Sequence, residues 1–231
     1  MLCVSGVSRQ FGGLAALSDV CFKVGRGEVV SVIGPNGAGK STLFNAITGF
    51  IRPNAGSIQF AGRDITGLRP YEIANFGIGR SFQHSRLFPR LTTAEHLRVP
   101  RGSDVDKASV RMILKMCGLA GKGDLFPAQI SFEEQRKLEI ARLLAGKPKL
   151  ILLDEPAAGL NAQETARLMQ LILAIRDMGC SITVIEHNMG FVMDISDRIV
   201  VLNFGRKIAE GVPEAIQDDK SVREAYIGVE A

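Results

Sequence analysis

The chain contains no tryptophan, two tyrosines and four cysteines in 231 residues. Aromatics are scarce, and no basic run is interleaved with them. The stacking-and-charge pattern of a nucleic-acid binder is therefore missing. No apolar stretch reaches the roughly 18 residues that a membrane span needs. The N-terminus has no signal-peptide core. A role at a membrane would need another chain to cross it. Cys3, Cys21, Cys117 and Cys180 are scattered without a Cys-x-x-Cys pair. That argues against a disulfide frame and for reduced core thiols in a cytosolic protein. There is no repeat and no low-complexity tract, and the three histidines lack metal-ligand spacing.

What is present suits a folded domain. Hydrophobic residues make up 46%, enough for a core, and charged residues 23%, too few for disorder. The net charge of +4 permits contact with an anionic surface without demanding one. The stretch that organises the rest is Gly34-Pro35-Asn36-Gly37-Ala38-Gly39-Lys40-Ser41-Thr42. It fits G-x-x-x-x-G-K-[ST], a loop whose amide groups cradle phosphates. Glu28–Ile33 before it reads as a buried strand, and Ser41–Thr48 after it as a short helix stopped by Gly49. Lys40 can reach β- and γ-phosphates, and Ser41 can hold Mg²⁺.

The flanking segments read as an α/β protein. Leu2–Val7 and Leu17–Val24 alternate as strands, with Phe11 in a polar, glycine-flanked loop between them. An adenine could stack on Phe11, or the ring could cover a sheet edge. Ser57–Phe60 and Ile78–Phe82 are strands, and Pro70–Asn75 is a helical turn. Gln83, at the end of its strand, could reach a metal-bound water or cap the next segment. From 84 to about 145 the pattern turns helical, predicting an inserted lobe that begins with an apolar Leu87-Phe88 knot. Ser131 and Glu134 form a capping box opening a helix to about Ala145. Leu150–Leu153 is continuously apolar, as in a parallel sheet covered on both faces, and delivers Asp154 and Glu155 at its C-terminal end. Asp154 can hold Mg²⁺, and Glu155 can orient or deprotonate water. Ser181–Ile185, a further buried strand, ends in Glu186-His187, which brings His187 to the edge where a γ-phosphate would lie.

A phosphate loop, a glutamine after a strand, a Ser-x-x-Glu-Gln helix start, an apolar strand ending Asp-Glu-Pro, and a later histidine together resemble an ATP-binding cassette (ABC) transporter subunit. The likeness covers nearly the whole chain. Within that family, Ile78–Phe88, Gln135–Arg142 and Glu186–Met193 are similar to importers of branched-chain amino acids.

The resemblance implies one nucleotide-binding domain over 1–231. Its core would be a P-loop NTPase fold with a mostly parallel sheet, an N-terminal antiparallel β subdomain and the helical subdomain. It implies ATP and Mg²⁺ as cofactors, adenine stacking on Phe11, Gln83 sensing Mg²⁺ and water, Glu155 as catalytic base, and His187 on the γ-phosphate. Ala158-Gly159-Leu160-Asn161 would cross to a second ATPase subunit. The other partners would be a membrane permease and, indirectly, a solute-binding protein, at the cytoplasmic face of the inner membrane.

One departure stands out. The family's Leu-Ser-Gly-Gly-Gln signature reads Ile130-Ser131-Phe132-Glu133-Glu134 here. In the head-to-tail dimer of the family, Ser131, Glu133 and Glu134 would face the partner's nucleotide. A bare Glu133 carboxylate about 4 Å from a phosphate charge would cost about 4 kcal/mol at an effective dielectric of about 20. The sequence thus predicts a weakened partner site, relieved by Glu133→Gly. A soluble ABC ATPase, or a weakly hydrolysing regulatory subunit, stays open as an alternative.

Overall fold

The computed structural model describes residues 1–82, 87–100 and 105–227. Gln83 lies outside the described residues. In chain order the elements are β1 (Leu2–Phe11), β2 (Leu14–Val24), β3 (Val29–Ile33), α1 (Lys40–Ile47), β4 (Ala55–Phe60), β5 (Arg63–Asp64), α2 (Pro70–Asn75), β6 (Ile78–Arg80) and α3 (Thr93–His96). They continue with α4 (Lys107–Met116), α5 (Phe132–Ala145), β7 (Leu150–Asp154), α6 (Ala162–Asp177), β8 (Ser181–Ile185) and α7 (Met189–Ile195). β9 (Arg198–Asn203), β10 (Arg206–Gly211), α8 (Pro213–Asp218) and α9 (Lys220–Ile227) close the described chain.

Two sheets face each other. The N-terminal one is antiparallel, in the order β2-β1-β4-β5. Leu2, Val4 and Val7 of β1 are all buried, which strict alternation forbids. A register shift between Val4 and Val7 restores the inward face. The larger sheet runs β10-β9-β3-β8-β7-β6, parallel except for the terminal β9–β10 hairpin. Its central strands β3, β7 and β8 are buried at every position because both faces are covered. Val30, Val32, Leu150 and Leu152 pack toward the N-terminal sheet and α1. Val29, Ile151, Leu153, Ile182 and Val184 pack toward α5, α6 and α7. Each such fully buried side chain stabilises by roughly 1.5–3 kcal/mol relative to exposure.

That second core continues into the helical region, where Leu97, Val110, Leu114, Cys117, Leu119, Ile130 and Leu138 join it. The apolar knot divides: Leu87 packs on this core, while Phe88 is 47% exposed with its ring 5.9 Å from that of His96. A third cluster joins Ile33, Ile199 and Val201 to Ile216 and Val222 of the terminal helices. Cys117 and Cys180 are buried, and burial pushes their thiols up to about 12 and about 11. Cys21 is exposed, not a core thiol, and accepts a hydrogen bond from the Gly6 amide. Among the described residues no helix is long and apolar enough to cross a membrane.

Candidate active site

The phosphate loop runs from the C-terminal end of β3 to the start of α1. Gly34 has φ +146°, and a Cβ there would lie 2.0 Å from the Leu202 carbonyl oxygen. Gly39 has φ +103°, with the Ala16 carbonyl oxygen 2.6 Å from any Cβ. Only glycine fits this left-handed, wedged path. Gly39 caps α1 without a side chain, and no acidic residue occupies the first turn. The leading amides of α1 and its positive dipole end therefore stay available to an anion. Lys40 Nζ donates to the carbonyls of Gly34 (2.6 Å) and Pro35 (2.9 Å), inside the loop it serves. Burial lowers its pKa, opposed by the carboxylates of Glu155 and Asp154.

β7 and β8 end beside this loop. Asp154 is 7% exposed, and burial raises its pKa against the pull of Arg80, whose NH2 lies 3.3 Å from Oδ2. Arg80 NH1 also donates to Asn45 Oδ1 (2.7 Å) and Thr48 Oγ1 (2.9 Å). Its guanidinium lies among the rings of Phe44, Phe50 and Phe82, at 5.8, 5.7 and 5.1 Å. The Asp154 amide donates to Ser81 Oγ at 3.0 Å. Asp154 is thus fixed from both backbone and side chain. Its Oδ1 and the exposed Ser41 hydroxyl have no partner among the described residues. An all-oxygen pair with room for waters and phosphate oxygens suits Mg²⁺.

Glu155 sits at φ +49°, a left-handed position unusual for a side-chain-bearing residue. Its amide donates to the Ile185 carbonyl at 2.9 Å, and its Oε1 lies 2.8 Å from His187 Nε2. The two residues come from neighbouring strand ends, 32 positions apart in sequence. Between them lies a residue to which the sequence assigned no role. Glu186 is 3% exposed and accepts hydrogen bonds from the amides of Ala157, His187 and Asn188. The only signal for it was a charged residue directly after an apolar strand. Arg80 and Ser81 were also unassigned.

Phe11 differs from its expected setting. It is the last residue of β1, paired with Leu14 across a Gly12-Gly13 turn, rather than part of a loop. The two glycines close the hairpin tightly, so the strands extend to the turn. The ring is 42% exposed, with the Arg9 guanidinium 4.7 Å from its centroid.

The signature stretch differs more. Ser131 caps α5 and Glu134 returns to the Ser131 amide at 3.0 Å, as the capping box predicts. Glu134 also pairs with Lys122. Glu133 is not bare. It is 8% exposed, and its oxygens take Arg167 Nε and NH2 at 2.8 Å each and Lys137 Nζ at 2.5 Å. The Arg167 hydrogen bonds, with Lys137, hold its carboxyl at about 2 despite burial. Lys137 lies one turn along α5 and Arg167 is on α6, so compensation comes from an element the local sequence does not reveal. Phe132 lies against the loop before α6: a Cβ on Gly159 would be 3.1 Å from its ring. Asn161 Oδ1 caps α6 by accepting from the Glu164 amide at 3.0 Å.

The ABC transporter family profile matches residues 17–158. The chain belongs to the ABC transporter family. A second profile, described as branched-chain amino acid ATP-binding cassette transporter, matches 206–231. The chain is similar to the high-affinity branched-chain amino acid transport ATP-binding protein LivG of Salmonella typhimurium. The two are 39% identical over 249 aligned positions, covering 99% of this chain and 98% of that one. BraF of Pseudomonas aeruginosa, with the same description, is 39% identical over 246 positions, covering 97% and 96%.

Among solved structures, the chain is similar to an ABC transporter cassette in its ADP conformation. The TM-score is 0.91 at 30% identity, covering 99% of this chain and 98% of that one. A dimeric cassette in a post-hydrolysis state, bound to ADP and Pi, gives 0.81 at 28% identity, covering 92% and 99%. As a member of this ABC family, the chain is an ATP-binding, ATP-hydrolysing subunit with the cassette fold.

Proposed function

We propose that this ABC subunit hydrolyses ATP to power import of branched-chain amino acids through a separate permease. It would lie peripherally at the cytoplasmic face of the inner membrane, with a solute-binding protein upstream. The observation that carries the catalytic part is the 2.8 Å contact of Glu155 with His187 at adjoining strand ends, beside Lys40 and Asp154. The names of LivG and BraF, and the profile over 206–231, support the substrate class.

The glycine-lined amides of Gly34, Pro35, Asn36, Gly37, Ala38 and Gly39 and the start of α1 bind the phosphates. Lys40 leaves its loop carbonyls for the β- and γ-oxygens, and Thr42 extends the cradle. Ser41 and Asp154 would hold Mg²⁺, with Gln83 completing the metal and water contacts. Mg²⁺, when bound, neutralises charge on the β- and γ-oxygens. Glu155 accepts a proton from the attacking water, and His187 orients Glu155 and contacts the γ-phosphate. The free face of Phe11 takes the adenine. In a head-to-tail dimer, Ser131, Glu133 and Glu134 face the partner's nucleotide with charges already paired within their own chain.

The test is uptake of radiolabelled leucine by proteoliposomes holding the subunit, its permease and ATP. Uptake should follow ATP hydrolysis and vanish in Lys40→Ala together with nucleotide affinity. Hydrolysis without leucine uptake would refute the substrate class. Undiminished nucleotide affinity in Lys40→Ala would refute the site.

A further inference from the structure

We infer that Glu186 is a positioning residue for ATP hydrolysis, a backbone clamp that holds the Glu155 and His187 loops together as one body. This rests on the catalytic reading of Glu155 and His187 given above. The clamp is made of one buried carboxylate and three amides. Oε1 accepts from the Ala157 N–H at 2.8 Å. Oε2 accepts from the N–H groups of His187 (2.9 Å) and Asn188 (3.3 Å). Glu186 is 3% exposed, and among the described residues no cationic side chain pairs with it. A carboxylate buried without a counter-ion is costly unless its oxygens are otherwise satisfied. Here the backbone satisfies them.

The residue type matters. A carboxylate presents two acceptor oxygens and no donor. A glutamine of the same shape presents one acceptor, and its NH₂ would face an N–H. It could serve the Ala157 side or the His187 side, not both. The contacts also form a closed ring. Ala157 lies two residues after Glu155, and the Ala158 amide returns to the Glu155 carbonyl at 3.2 Å. Glu186 ties Ala157 to His187, whose Nε2 returns to Glu155 Oε1 at 2.8 Å. His187 and Glu155 are both partly open to solvent, with side chains 42% and 19% exposed. Their own hydrogen bond is therefore poorly shielded. The buried clamp beneath fixes the backbone positions from which the two side chains meet.

The test uses the full chain with its permease, comparing wild type with Glu186→Gln, Glu186→Asp, His187→Ala and the His187→Ala/Glu186→Gln double variant. Affinity for a fluorescent ATP analogue, kcat, KM and Tm are measured, with kcat expressed per bound nucleotide so that a partly folded sample stays interpretable. Glu186→Gln should keep nucleotide affinity within twofold and lose at least tenfold in kcat, with KM little changed. Glu186→Asp keeps the charge but is too short to span both loops, and should lose as much. It stands in if the glutamine variant does not fold. In the His187→Ala background, Glu186→Gln should lose clearly less in kcat than in wild type, since part of its effect runs through the Glu155–His187 contact. A purely structural role would lower Tm and the number of binding-competent molecules, and leave kcat per bound nucleotide intact. Turnover in wild type with undiminished kcat in Glu186→Gln, or an equal loss in both backgrounds, overturns this inference alone. No turnover in wild type overturns the catalytic reading with it.

Discussion

Arg167→Ala should turn the quiet charge of Glu133 into an active one. In the wild type, Arg167 takes both Glu133 oxygens at 2.8 Å, and Lys137 takes one at 2.5 Å. Together they move the carboxyl from 4.5 to about 2. At about 1.4 kcal/mol per pKa unit, the cluster contributes about 3 kcal/mol before screening. The Arg167 side chain is 49% exposed, so water screens its share, leaving about 1–2 kcal/mol to lose. For a chain of this size that is a fall in Tm of roughly 2–8 °C at pH 7.

The pH dependence has a definite sign. The folded pKa is below the unfolded one, so the contribution is complete above about 4.5 and fades as pH falls toward about 2. Calorimetry at pH 7 and again near pH 3 should show the gap between wild type and variant narrowing by roughly a fifth to two-fifths. Turnover of the assembled complex should also fall several-fold, because a carboxylate held by Lys137 alone leaves more negative charge at the end of α5. The companion variant Glu133→Gly should raise turnover less than threefold, since the charge it removes was already compensated. A Tm unchanged at pH 7, or a gap that does not narrow in acid, would show that the cluster carries no weight. A tenfold rise in Glu133→Gly would restore the bare-charge expectation.

Three further outcomes follow from the site. Glu155→Gln should bind ATP normally and lose 10²–10⁴-fold in kcat, measured by single-turnover hydrolysis; retention of more than a tenth of the rate would remove Glu155 as the base. Arg80→Ala leaves Asp154 buried without its cation, which should destabilise by about 3 kcal/mol. Losing the Arg80 charge also lifts the Asp154 carboxyl further above its ordinary range, so ATPase activity should fall off sooner as pH drops, read from denaturant midpoints and a pH profile. Phe11→Ala should weaken ATP binding roughly tenfold while sparing kcat, because ring stacking is lost and the chemistry untouched; equal affinities in isothermal titration would reassign the ring to the sheet edge.

The features legible in the sequence were those governed by near neighbours. The phosphate loop, the strand delivering Asp154 and Glu155, the Pro70–Asn75 helix and the Ser131–Glu134 capping box each depend on spacing within a few residues. What escaped depends on tertiary placement. Glu133 read as a liability because Arg167, 34 residues later, could not be brought to it by any local pattern. Arg80 gave no sign that it would brace Asp154 across 74 positions. Glu186 shows no role in the sequence, and its value appears only when Ala157 arrives beside it. Phe11 was misplaced for a local reason: two glycines were read as a loop although they form the shortest hairpin turn.

A side chain at Gly159, where φ is +82°, would be strained and would press to within 3.1 Å of the Phe132 ring. The segment after Glu155 and the tip of α5 are therefore in direct contact. A change at Gly159 is felt at the start of α5 as well as in its own loop.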